Sequence, residues 1–150
     1  LAVLFNTTGM TTEITNDPLR HLWAKLLINA GINALTAIHG CRNGDLLESG
    51  RIKKRMTAAV REAESVARAN NIEIEGDPVA TVYQVCRMTA GNYSSMYQDV
   101  QNRRGTEVDA INGAVVAEGE RFGIATPVNR ELVRQVHAIE ARRRTGEIRS

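Results

Sequence analysis

Residues 17–39, DPLRHLWAKLLINAGINALTAIH, are the stretch that decides the fold. Asp17 followed by Pro18 is a helix-start signal, because an aspartate caps free amide groups and a proline in the first turn loses no hydrogen bond. Gly40 supplies the matching stop signal. The apolar character of the stretch predicts one long buried helix between these two signals.

The rest of the chain carries the same kind of signals and predicts more helices. Ser49 is suited to cap a helix whose apolar residues recur every three or four positions, and Asp77-Pro78 repeats the first start signal. For the last three helices the expected caps are Ser94 or Asn92, Thr106 with Asp109, and Asn129. We expect helices at about 18–39, 50–69, 78–90, 94–104, 107–122 and 129–144, after an extended or short helical lead-in over residues 1–16. The sequence therefore predicts an all-α helical bundle formed by a single domain, residues 1–150.

Composition excludes several classes of protein. Hydrophobic residues make up 43% of the chain and charged residues 24%, which is typical of a globular protein and not of a disordered one. A net charge of +2 gives no indication of nucleic acid or of an anionic membrane as partner. Cys41 and Cys86 are most simply reduced thiols of a cytoplasmic protein. His21, His39 and His137 are scattered, so no metal site is expected.

A narrow polar stripe interrupts the first helix. Lys25, Asn29 and Asn33 follow at intervals of four residues and therefore lie within about 80° of one another on the helix surface. A lone membrane span would tolerate these residues poorly. Two interpretations stay open: the lysine reaches solvent while the asparagines bond neighbouring backbone, or the stripe is a pocket wall with a proton donor and amides that orient an oxygen-rich anion.

Three blocks of sequence carry a resemblance to a known family. They are residues 22–38, residues 92–100 followed by 106–113, and residues 123–129. Their order and spacing resemble the C-terminal domain of the ketopantoate reductase (2-dehydropantoate 2-reductase) family, whose fold is 6-phosphogluconate dehydrogenase C-terminal-domain-like. The resemblance implies reduction of ketopantoate to pantoate with NADPH, for pantothenate and coenzyme A synthesis.

The resemblance also implies roles for individual residues. Lys25 falls on the catalytic lysine, the general acid that protonates the carbonyl oxygen. Glu107 falls on the glutamate that contacts the nicotinamide cofactor. The positions that match substrate-binding residues are Asn29, Asn33, Asn43 and Ser95.

One family feature has no counterpart in this sequence. The Gly-x-Gly-x-x-Gly turn of a Rossmann domain does not occur, so we expect this chain to be the substrate-binding and dimerisation part of a cytoplasmic enzyme whose N-terminal Rossmann domain binds NADPH. The isolated chain is expected neither to bind NADPH usefully nor to turn over. Two alternatives remain: a catalytically silent helical module kept for oligomerisation, and a related reductase that acts on another keto acid.

Overall fold

The first helix lies at the centre of a helical bundle. A computed structural model describes residues 17–146, and the lead-in expected over residues 1–16 lies outside the described residues. The described part contains no strand, one 3-10 helix and six α-helices, as the all-α prediction requires. The elements are α1 (Pro18–His39), η1 (Asn43–Glu48), α2 (Gly50–Ala69), α3 (Pro78–Met88), α4 (Ser95–Gln101), α5 (Asn112–Phe122) and α6 (Pro127–Thr145).

Neighbouring elements surround the second half of α1. The helix packs against α2, α3, α4, α6 and η1, and every residue from Ala30 to Ala37 is buried. Gly31 is needed for this packing, because a Cβ atom there would lie 2.7 Å from Val60 Cγ2 and 3.1 Å from Val82 Cγ1. The close approach of α1 to α2 and α3 therefore depends on a residue without a side chain.

Four of the predicted helix caps are confirmed. Asp17 accepts a hydrogen bond from the amide of residue 20, and Ser49 from that of residue 52. Asp77 accepts from the amide of residue 79, and Ser94 from that of residue 97. These caps bond within three residues of themselves, so the sequence alone contains the information that defines them.

Two predicted helices are shorter than expected. The helix expected over 94–104 ends at Gln101, and Arg103 has a left-handed φ of 58° that interrupts helical geometry. The helix expected over 107–122 begins at Asn112. Thr106 Oγ1 accepts from the amide two residues later, at Val108, so it closes a local turn in place of the expected capping box.

The start of the last helix is also different from the prediction. Asn129 was expected to cap it, but α6 begins at Pro127 and Asn129 is fully buried inside it. The cap comes from Glu62 of α2, whose carboxylate accepts from the amides of Val128 at 2.9 Å and Asn129 at 3.0 Å. Glu62 is therefore half-buried and bonded to α6.

Candidate functional site

The polar stripe of α1 descends from the surface into the interior. Lys25 is exposed, Asn29 is half-buried and Asn33 is only 9% exposed. Asn33 follows Lys25 by eight positions along the helix, a rise of about 12 Å. The stripe therefore places a cation at the surface and two neutral amides progressively deeper.

The start of α4 is joined to α1 just beyond Asn33. Thr36 Oγ1 donates to the Asn33 carbonyl oxygen at 2.9 Å, and lies 2.6 Å from Ser94 Oγ. Ser94 Oγ also accepts from the amide of Tyr97 at 3.0 Å, so its own proton is available to Thr36. Ser94 thus fixes the segment, while its neighbour Ser95 is exposed. The sequence indicated Ser94 as a cap, but no sequence signal indicated its bond to Thr36.

Asn43, at the start of η1, is attached to the segment between α3 and α4. Its backbone amide donates to the Asn92 carbonyl at 3.0 Å, and its side-chain Nδ2 donates to Thr89 Oγ1 at 3.0 Å. Asn43 is 8% exposed, and its Oδ1 atom is buried with no hydrogen-bond partner. An unpaired buried acceptor costs about 1–3 kcal/mol, so a hydrogen-bond donor brought to Oδ1 would stabilise the site.

η1 and the same segment are in close contact. The Gly44 amide donates to the Ala90 carbonyl at 3.1 Å, and a Cβ atom at Gly44 would lie 2.6 Å from Ala90 Cβ. Asn43 and the segment that leads to Ser95 therefore form one hydrogen-bonded unit.

Glu107 lies in the turn that precedes α5. Its side chain is exposed, and the backbone carbonyl accepts from the Ala110 amide at 3.0 Å. In the part of the chain that the structure describes, no hydrogen bond joins Glu107 to the polar stripe. The turn itself is joined to α1 through Asn112, which follows it. Asn112 Nδ2 donates to the carbonyl of Ala30, the residue after Asn29, at 3.1 Å.

A buried network of asparagines, which sequence reasoning missed, holds four helices together. Asn112 Nδ2 donates to Asn129 Oδ1 at 2.9 Å, and Asn129 Nδ2 donates to the Ala59 carbonyl at 3.0 Å and to Glu62 Oε1 at 2.9 Å. We call Asn112, Asn129 and Glu62 the asparagine network. Both asparagines belong to the quoted sequence blocks, but their partners lie far away in sequence, so spacing alone gives no signal.

Burial shifts the pKa of both described thiols and of His39. Burial raises the pKa of Cys86 to about 11, as suits a structural thiol in the core. Burial also raises the pKa of Cys41 and, with nearby Arg55, lowers that of His39. Among residues 17–146, no three His, Cys, Asp or Glu side chains are grouped so that they could hold a metal ion. None of the helices described is long and apolar enough to cross a bilayer.

A groove of about 330 Å³ lies on a different face of α1. Ala24, Leu27 and Ile28 form its α1 side, and residues of the segment 73–81 face them. It contains none of the residues that the family resemblance selects, so we do not take it as the candidate site.

The chain is similar to a known sequence family over most of its length. Residues 17–140 match the family described as ketopantoate reductase PanE/ApbA, C terminal. A 2-dehydropantoate 2-reductase of Vibrio cholerae serotype O1 is 48% identical over 151 residues, covering 91% of this chain and 51% of that protein. A 2-dehydropantoate 2-reductase of Archaeoglobus fulgidus is 38% identical over 141 residues, covering 94% of this chain and 47% of that protein. The chain thus spans about half the length of these curated relatives.

Two solved structures share the fold of this chain. A PanE/ApbA family ketopantoate reductase from Ralstonia eutropha JMP134 superposes with a TM-score of 0.82 at 30% identity, covering 86% of this chain and 43% of that one. D-mandelate dehydrogenase, solved with NADH and anilino(oxo)acetate, superposes with a TM-score of 0.80 at 31% identity, covering 86% of this chain and 43% of that one. With its all-helical fold and the match over residues 17–140, the chain belongs to the ketopantoate reductase C-terminal domain family.

Proposed function

We propose that this chain forms the substrate-binding and dimerisation part of a cytoplasmic, NADPH-dependent 2-oxo acid reductase, and that the 2-oxo acid is 2-dehydropantoate. The similarity to a 2-dehydropantoate 2-reductase at 48% identity is the observation that carries this proposal. The polar stripe supports it, because a cation at the surface and amides below it suit a small oxygen-rich anion. An N-terminal Rossmann domain, on the same polypeptide, completes the proposed enzyme.

Lys25 is the proposed general acid. Its exposed ammonium group carries three hydrogen-bond donors and stands at the open end of the polar stripe. As the carbonyl carbon of a 2-oxo acid is reduced, negative charge develops on the carbonyl oxygen. A lysine Nζ beside that oxygen stabilises the charge and then transfers a proton to it, which completes the hydroxy acid.

Asn29, Asn33 and Ser95 are the proposed donors to the substrate. A carboxylate needs neutral N–H or O–H groups that orient it, and two stripe amides with an exposed serine hydroxyl provide them. Asn43 has a different role, because its Nδ2 is already bonded to Thr89 and only its Oδ1 is unpaired. Asn43 is therefore suited to accept a hydrogen bond from a hydroxyl group of the substrate.

Glu107 is the residue of this chain that we assign to the cofactor. NADPH, when bound, supplies the hydride for the reduction. The chemistry of an exposed carboxylate fits this assignment, since it accepts hydrogen bonds from hydroxyl or amide donors such as those of a nicotinamide nucleotide.

A kinetic experiment tests the proposal. NADPH oxidation is measured with a protein that joins this chain to the family's nucleotide-binding domain, using 2-dehydropantoate and a panel of other 2-oxo acids as substrates. We expect the highest kcat/KM with 2-dehydropantoate, and no turnover by the 150-residue chain alone. A higher kcat/KM with another 2-oxo acid would correct the substrate, and no turnover with any of them would favour a silent helical module.

A further inference from the structure

A chain of three side chains attaches the turn that carries Glu107 to the last helix. Glu140 Oε2 accepts from the Thr106 backbone amide at 2.7 Å, and Glu140 Oε1 lies 2.9 Å from His137 Nδ1. On the other side of the ring, His137 Nε2 lies 2.7 Å from Asp109 Oδ1. Two carboxylates thus flank one imidazole, and the attachment points lie on both sides of Glu107 in the sequence.

The two imidazole contacts need a proton on each ring nitrogen. A neutral imidazole donates from one nitrogen and presents a lone pair on the other, whereas an imidazolium donates from both. A lone pair facing a carboxylate oxygen at less than 3 Å is repulsive, so both contacts are favourable only for the imidazolium. Accordingly, the pKa of His137 is raised above its ordinary value, mainly by the hydrogen bond to Asp109 and also by the one to Glu140.

Asp109 is the partner that a neutral His137 would release. The side chain of Glu140 is 10% exposed and also holds the Thr106 amide, while that of Asp109 is 75% exposed. Further charges surround Glu140: four arginines from the segment after α4 and from the end of α6 line a small pocket with it. They are Arg103, Arg104, Arg143 and Arg144. A neutral ring keeps its remaining N–H donor on the buried Glu140 carboxylate, because the exposed Asp109 carboxylate can be solvated by water instead.

We propose that His137 is a positioning residue for Glu107: as an imidazolium it fixes the turn 106–109 to α6, and on losing its proton it frees the Asp109 side of that turn. The link to the cofactor rests on the proposed function, which assigns Glu107 to NADPH; the attachment of the turn does not. Because the proton is held more tightly in the folded chain, the turn is fixed below the raised pKa of His137 and loosens as the pH rises through that pKa.

The attachment is tested on the 150-residue chain by NMR. We expect His137 to titrate above the ordinary value of about 6.5, and the amide shifts of Thr106 and Val108 to follow its titration. Asp109→Asn should lower the pKa of His137, since an amide Nδ2 can donate to the lone pair of the neutral ring, and should keep the turn fixed at alkaline pH. His39→Gln, at an exposed histidine of α1, is the control that should leave both turn amides unchanged. If the amide shifts of Thr106 and Val108 do not change as His137 titrates, the proposal is overturned.

The consequence for the cofactor is tested in the two-domain protein. Between about pH 6 and pH 9, we expect the KM for NADPH of the wild type to rise. The rise should be several-fold larger than in His137→Gln or Asp109→Asn, and kcat should change less than KM. If the KM for NADPH depends on pH in the same way in the wild type and in both variants, the proposal is overturned, provided that Glu107→Gln raises that KM. If Glu107→Gln leaves that KM unchanged, the assignment of Glu107 is wrong, while the NMR titration still decides the attachment of the turn.

Discussion

The polar stripe and the asparagine network use the same amide chemistry in opposite ways. In the asparagine network, Asn112 donates to Asn129 and to a carbonyl of α1, Asn129 donates to a carbonyl and a carboxylate of α2, and both residues are fully buried. Within residues 17–146, the side chains of Lys25, Asn29 and Asn33 take part in none of the hydrogen bonds that the structure describes. The difference teaches that asparagines of the same family blocks can serve packing or stay available to a ligand, and the proposed substrate role of Asn29 and Asn33 depends on their unbonded amides.

The largest effect is expected from removing the cation of the polar stripe. Lys25→Ala should lower kcat of the two-domain protein by on the order of 10²–10³, because the developing oxyanion loses its stabilising charge and its proton donor. The melting temperature should stay the same, since the side chain is exposed. Lys54→Ala, an exposed lysine of α2, is the matched control. A near-normal kcat for Lys25→Ala would end its assignment as general acid.

Breaking the asparagine network should give the reverse pattern. Asn129→Ala removes the bonds to Ala59, Glu62 and Asn112 and leaves buried groups unpaired, so the free energy of unfolding should fall by about 2–3 kcal/mol. Urea denaturation of the 150-residue chain measures this. Asn102→Ala, at an exposed asparagine, should change stability by less than about 0.5 kcal/mol. Equal stability of the two variants would mean that the network does not support the bundle.

Two adjacent serines provide the smallest and sharpest comparison. Ser94→Ala should lower the free energy of unfolding by about 1 kcal/mol, because it removes the cap of α4 and the bond to Thr36. Ser95→Ala should leave stability unchanged and raise the KM for the 2-oxo acid, because its hydroxyl is proposed to hold a part of the substrate that changes little during reduction. Denaturation and steady-state kinetics on both variants check this, and the assignments are wrong if the two serines exchange these effects.

The sequence predicted those parts of the fold that depend on local bonding. The expected bounds of α1 and α2 agree with the observed Pro18–His39 and Gly50–Ala69, because Asp17 and Ser49 each bond an amide within the first turn. The predicted cap of α6, Asn129, was wrong because the cap is Glu62, which lies 66 residues before the amide of Val128 that donates to it. Local patterns carry no information on such a distant partner.

The same distinction applies to the candidate site. Periodicity alone placed Lys25, Asn29 and Asn33 on one side of α1, since helix geometry fixes that relation. The sequence did not reveal which side-chain atom of Asn43 is left unpaired, because that depends on Thr89, 46 residues away. Nor did it reveal that His137 faces Asp109 across 28 residues.

The continuous burial of α1 from Ala30 to Ala37 has a consequence for the entropy of binding. Asn33, which we propose as a substrate contact, is already confined by packing, so binding of the proposed ligand would cost little further backbone or side-chain freedom. The amide protons of this segment are therefore expected to exchange with solvent only through opening of the whole bundle, with or without ligand. For the proposed substrate, the deep end of the polar stripe would therefore be ordered in advance.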